Sequence, residues 1–143
     1  MLHEEFHSRE FTRRGGEMEM AQLWVNLPAR HKMAAPRYQE IAAASIPLVK
    51  LSRGAGSARI IAGEFRGTEG AAETFTPVVL WDVKLGAGAE VELPLPEGFN
   101  AALFVRRGAL RATGNRAVQA GELALLSREG QGFTVRSEGA AEL

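Results

Sequence analysis

Apolar residues come in short runs of β-branched and aromatic type, bounded by glycine, proline and asparagine, and they alternate with polar residues. That is the pattern of many short strands, because successive side chains of an extended chain point to opposite faces. The first convincing strand is "MAQLWVNL", residues 20–27, where Leu23, Val25 and Leu27 share one face and Gln22, Trp24 and Asn26 the other. Pro28 ends it, since proline cannot donate to a ladder. Residues 29–44 lose the alternation and carry Pro36, so they read as a linker between residues 1–28 and 45–143. A short helical turn is expected near Glu40 to Ala44.

From Ile46 onward strand-like segments recur at the spacing of a β-sandwich or barrel, which predicts an all-β domain. The segments are "IPLVKLSRG", "ARIIAGEF", "TPVVLWDVKL", "AEVELPLP", "AALFVRRG", "ALRATG", "RAVQAGELALLS" and "GFTVRS". Val91, Leu93 and Leu95 alternate with Glu90, Glu92 and Pro94, and Leu123 with Leu125 faces opposite to Ala124 with Leu126. Gly108 and Gly121 fall between arms, where a positive φ is cheap for glycine. No internal repeat is visible.

Composition narrows the function classes. A chain of 143 residues can hold one ordinary domain, or one domain and a piece of another. Lys plus Arg balances Asp plus Glu at 17 each, so the summed field gives no reason to expect nucleic acid or an anionic membrane as a partner. No apolar run approaches the roughly 18–20 residues needed to cross a bilayer. "MLHEEFHSRE" lacks the basic start and apolar core of a signal peptide. The chain has no cysteine, which excludes disulfides and thiolate metal sites and fits a cytoplasmic location.

Candidate chemistry concentrates at the N-terminus. On an extended strand His3, Glu5 and His7 point to one side, each about 6.6–7 Å from the next along the chain. Neighbouring members can converge on one ion at ligand distances of about 2.1 Å, whereas all three cannot easily do so. Nitrogen and carboxylate donors suit iron(II), manganese, nickel, copper or zinc, and affinity alone does not choose among them. His31 lies between Arg30 and Lys32, where three cationic or basic groups in a row disfavour a metal, and no histidine follows it. Trp24 and Trp81 could line a pocket, but Trp81 reads as core inside "VVLWDVKL". Asp82 is the only aspartate, so no aspartate dyad or triad can be built around it. Ser45, Ser52, Ser57 and Ser127 lack a histidine in a context that would activate them. No Lys-Ser or Lys-Thr follows the glycine-rich stretches, so a phosphate loop is not supported.

A longer pattern is more specific than any of these. "QLWVNLPARHKMAAPRYQ" joins an aromatic strand, a proline turn, a basic pair and a second proline turn; "LHEEFHSREFTRRGGEMEMA" stands before it. "ARIIAGEFRGTEG", "TFTPVVLWDVKL" and "LPLPEGFNAALFVRRGAL" follow in order, and "VRRGALRATGNRAVQAGELALLS" has the cupin rhythm of strand, glycine turn and hairpin. Together these resemble the pirins, two-domain members of the cupin superfamily. The resemblance implies an RmlC-like jelly-roll β-barrel at 45–143, the end of a metal-binding first cupin at 1–28, and a linker at 29–44. It implies His3 and Glu5 as metal ligands, with Glu5 also as catalytic base, and leaves His7 at the rim. Iron(II) is the metal it implies first, and the activity it implies is dioxygenation of a quercetin-like flavonol.

The family's other two ligands, an "HxH" pair, precede the stretch matched here, and the family normally runs on past "FTVRSEGAAEL". The chain is therefore expected to be a pirin cut at both ends, with half the metal site missing, a divalent ion held weakly and catalysis impaired. The alternatives are an iron-dependent partner of transcription factors and an inactive structural fragment. Self-association through the exposed strand at 20–27 is a further expectation.

Overall fold

The computed structural model describes residues 6–143, so the expectations for His3 and Glu5 lie outside the described residues. The chain divides into two compact units, Met1–Lys32 and Met33–Leu143.

In the first unit a short helix, α1 (Arg9–Arg14), interrupts the extended backbone expected on either side of it. Its punctuation is local. Ser8 Oγ accepts from Phe11 N at 3.0 Å, and Gly15, at φ 68°, donates its N–H to Phe11 O and closes the last turn. Residues 20–27 do not form the expected strand. Leu23, Trp24 and Val25 are 58–64% exposed, and no strand among the described residues pairs with them. The alternation in sequence says which side chains would share a face; a strand also needs a neighbour whose backbone completes the ladder. A single 3-10 turn, Ala29–His31, follows Pro28.

The second unit opens with residues 33–42, tied to the rest by Gln39 and Arg37. Gln39 Oε1 accepts from Glu73 N at 2.9 Å, its amide donates to Glu73 O at 2.8 Å, and Arg37 reaches the Glu73 carboxylate at 2.6 Å. The helical turn expected near 40–44 is a 3-10 turn at Ala43–Ser45. Strands then follow in close succession: β1 (Leu48–Lys50), β2 (Gly56–Ala62), β3 (Glu64–Phe65), β4 (Thr68–Glu69), β5 (Leu80–Leu85) and β6 (Glu90–Pro94). After them come β7 (Ala102–Phe104), β8 (Ala109–Ala112), β9 (Arg116–Gln119), β10 (Leu123–Leu125), β11 (Gly132–Ser137) and β12 (Ala141–Glu142).

Two layers result. One is the antiparallel sheet β6-β11-β8-β9. The other begins as β1-β2-β5-β12 and continues through residues 105–107 to β7 and β10. Arg106 N donates to Glu142 O at 2.8 Å, and Glu142 N donates to Arg107 O at 3.0 Å, so the backbone bonding carries across. This order, with consecutive strands crossing between layers, is the jelly roll of a cupin; the layers stay separate sheets rather than one hydrogen-bonded ring.

Period-two burial builds the core. Ala58 and Ile60 on β2, Val83 and Leu85 on β5, Val91 and Leu93 on β6, Leu110 on β8 and Val135 on β11 turn inward into one cluster. Each fully buried aliphatic or aromatic side chain contributes about 1.5–3 kcal/mol. Phe65 sits at the centre with its ring edge-to-face to Trp81, centroids 4.8 Å apart. Ser137 is the one polar residue in the buried set among the described residues, and its hydroxyl donates to Gly86 O at 2.6 Å. Gly56, at φ 142°, lets β2 press against Lys84 O on β5, where a Cβ would overlap the carbonyl. Among the described residues no helix is long and apolar enough to cross a membrane.

Candidate functional site

His7 is the member of the N-terminal ligand column that falls among the described residues. It is exposed, and its ring lies 5.7 Å from that of Phe11. Because α1 starts at Arg9, the chain turns immediately beyond His7, and an extended column could reach no further. His31 Nε2 accepts from Arg30 Nε at 3.1 Å, a bond that occupies the nitrogen lone pair a metal would need. Among the described residues no three His, Cys, Asp or Glu side chains stand close enough to share an ion.

The jelly-roll interior offers little donor chemistry for a metal. Its largest fully buried side chains are Phe65, Ile60, Leu93, Leu110, Val83, Val105, Val135 and Ser137. The Ser137 hydroxyl is spent on Gly86 O and Ala89 O, and the chain has no histidine after His31 and no cysteine. A transition ion there would meet hydrocarbon, so the residues present do not fit one.

Charged chemistry lies instead on the outer face of the β1-β2-β5-β12 layer. Arg59 faces Asp82 across the β2–β5 ladder, and Lys84 faces Glu142 across β5–β12. Arg106 bridges the two acids, at 3.0 Å from Asp82 Oδ1 and 3.0 Å from Glu142 Oε2, while Arg59 is 3.5 Å from Asp82 Oδ2. Lys84 Nζ stands 3.1 Å from Glu142 Oε1. The hydrogen bond from Lys84, followed by the fields of Lys84, Arg106 and Arg107, holds the Glu142 carboxyl below the usual carboxylate range against the opposing effect of burial. Acids and bases alternate and neutralise one another, which makes this a fastening across strands. The sequence offers Asp82 only as a lone aspartate; the members of this fastening lie on β2, β5, β12 and the segment after β7, which adjoin only in the folded sheet.

A cavity of ≈ 120 Å³ opens at one end of the jelly roll, where the loop after β6 meets the loop before β11. Leu126 N donates to Ala101 O, Gly98 N to Arg128 O and Leu95 N to Gln131 O, each at 3.0 Å, so the two loops hold each other. Trp81 is not part of that cavity, and its indole Nε1–H is buried with no acceptor among the described residues. Trp24 is exposed and not without contacts.

A two-layer jelly roll whose interior is apolar, in a chain with no histidine after His31 and no cysteine, defines a cupin domain without imidazole or thiolate donors of its own. The family model of the "Pirin C-terminal cupin domain" matches residues 80–143. Over 129 residues the chain is 47% identical to a Pseudomonas aeruginosa protein named "Putative quercetin 2,3-dioxygenase", covering 90% of this chain and 45% of that one. It is 34% identical over 117 residues to pirin of Rattus norvegicus, covering 82% of this chain and 40% of the relative. A crystal structure of quercetin 2,3-dioxygenase from Acinetobacter baumannii superposes with a TM-score of 0.80 at 38% identity, over 83% of this chain and 41% of that one. The chain belongs to the pirin family. It spans about half the length of the curated relatives it matches.

Proposed function

We propose that residues 45–143 are the structural C-terminal cupin of a pirin-type flavonol 2,3-dioxygenase, and that residues 1–28 are the closing part of its metal-binding cupin. The observation that carries this reading is the 47% identity, sustained over 90% of the chain, to a protein named for quercetin dioxygenation. It is supported by the donor-free interior of the second unit, which leaves metal chemistry to the N-terminal residues. In this reading His3 and Glu5 would hold a divalent metal, with iron(II) as first choice, and the bound metal would supply the site at which a flavonol and dioxygen meet. Glu5 would also take the flavonol hydroxyl proton. With one imidazole and one carboxylate from the residues given, the ion would be held weakly.

Metal content and flavonol turnover, measured on the same iron(II)-loaded preparation, test the proposal. His3→Ala should remove the iron that wild type retains, while His31→Ala should leave it unchanged. Binding should fade below about pH 6.5 as the imidazole protonates. Equal iron retention by wild type and His3→Ala would refute the ligand assignment. Rapid flavonol cleavage by the 143-residue chain would refute impairment.

A further inference from the structure

We infer that the cavity at the end of the jelly roll is a binding site for a small monoanionic carboxylate with a compact apolar body, such as a single aromatic ring. Its walls include Leu95, Phe99, Leu126 and Phe133, all half-buried. The mouth of a β-barrel or sandwich is where concave, mostly apolar sites with a few polar groups collect. The volume of ≈ 120 Å³ sets the size of the occupant. An enclosed apolar cavity of about 150 Å³ accepts benzene, so this smaller site, open at its mouth, takes at most one ring with its substituent at the rim.

The charge comes from Arg128 on the rim. Its Nε donates to Gly98 O at 3.0 Å, across the two loops, and this bond orients the guanidinium. The terminal nitrogens have no acceptor among the described residues, which leaves the paired N–H edge of the fork for a carboxylate. Glu129 shares the rim, so a ligand with one negative charge is tolerated and a dianion is repelled. The site is preformed: besides the three backbone bonds between the loops, Ser127 Oγ accepts from Glu129 N at 3.1 Å and Thr113 Oγ1 from Thr134 N at 3.0 Å. Gly132, at φ 155°, keeps the base of the second loop tight, since a Cβ there would meet Leu93 O at 2.7 Å. Little ordering is left for a ligand to impose.

The inference does not depend on the metal or on flavonol chemistry. The test is a titration of the full chain with benzoate, benzyl alcohol and sulfate, followed by amide chemical shifts. Benzoate should saturate in the millimolar range and shift amides of 95–101 and 126–133, as expected for a ligand of so few atoms. Arg128→Gln, at an exposed position, should weaken benzoate at least five-fold and leave benzyl alcohol unchanged. Ala101→Leu, which fills the cavity, should abolish both; if that variant unfolds by circular dichroism, the Arg128→Gln comparison decides alone. No saturable shift with benzoate up to tens of millimolar would overturn the inference. So would unchanged benzoate affinity in Arg128→Gln, or sulfate binding as tight as benzoate.

Discussion

Replacing Trp81 by phenylalanine should leave the jelly roll nearly as stable as it is, although the residue packs against the core. Trp81 pairs with Ile60 across β2–β5, and its ring meets Phe65 at an interplanar angle of 75°. The indole N–H is buried without an acceptor among the described residues, and a buried unpaired donor costs about 1–3 kcal/mol. Phenylalanine removes that cost. It also keeps a six-membered ring for the edge-to-face contact, worth about 0.5–1.5 kcal/mol. The lost pyrrole atoms give up roughly 1 kcal/mol of burial at about 0.8 kcal/mol per buried CH₂, because Trp81 is only half-buried. The opposing terms leave a net change within about 1 kcal/mol of zero, whereas Trp81→Ala should cost about 3 kcal/mol or more. Urea denaturation followed by far-UV circular dichroism measures both variants, with an unchanged slope as the check on the unfolded state. A loss above about 2 kcal/mol for Trp81→Phe at constant slope would show that the indole N–H is satisfied and refute the reasoning.

Other perturbations separate close packing from charge. Gly56→Ala should cost about 3 kcal/mol or more in a thermal or urea melt, because φ 142° and the Lys84 carbonyl both exclude a side chain; Gly88→Ala, at φ 69° in open space, should cost only about 1–2 kcal/mol. Ser137→Ala should cost about 1 kcal/mol by urea titration, at the low end for a buried hydroxyl, since Gly86 O and Ala89 O each keep a backbone donor. Glu142 is held below its ordinary range in the fold, so its contribution is complete above the unfolded value of about 4.3 and is lost as pH falls through the lower folded value. Glu142→Gln should therefore lower stability at pH 7 by about 1 kcal/mol or less and reduce the loss on acidification below about pH 4.5, measured as midpoints across pH.

The sequence by itself determined that the chain from residue 46 onward is built of short strands and which side chains share a face of each. Alternation at Val91 and Leu93 is a property of neighbouring residues, and both are buried on β6. It also carried the family, through strings whose order no local rule would produce. Other features depended on partners distant in sequence. Residues 20–27 have the alternation of a strand and yet form none, because a ladder requires a second backbone. The α1 helix could have been read from Ser8 and Gly15, whose capping roles are local, but the expectation of an extended metal-binding column obscured it. Leu123 and Leu125 share one face of their strand; only the seating of the opposite face on the core, through Ala124 beside buried Leu103, decided that they point outward, 59% and 77% exposed. The Arg59, Asp82, Arg106, Glu142 and Lys84 fastening has no trace in sequence spacing. Periodicity is written along the chain, whereas the partner of a strand or a charge is set when distant segments close on a common core, and that step belongs to tertiary structure.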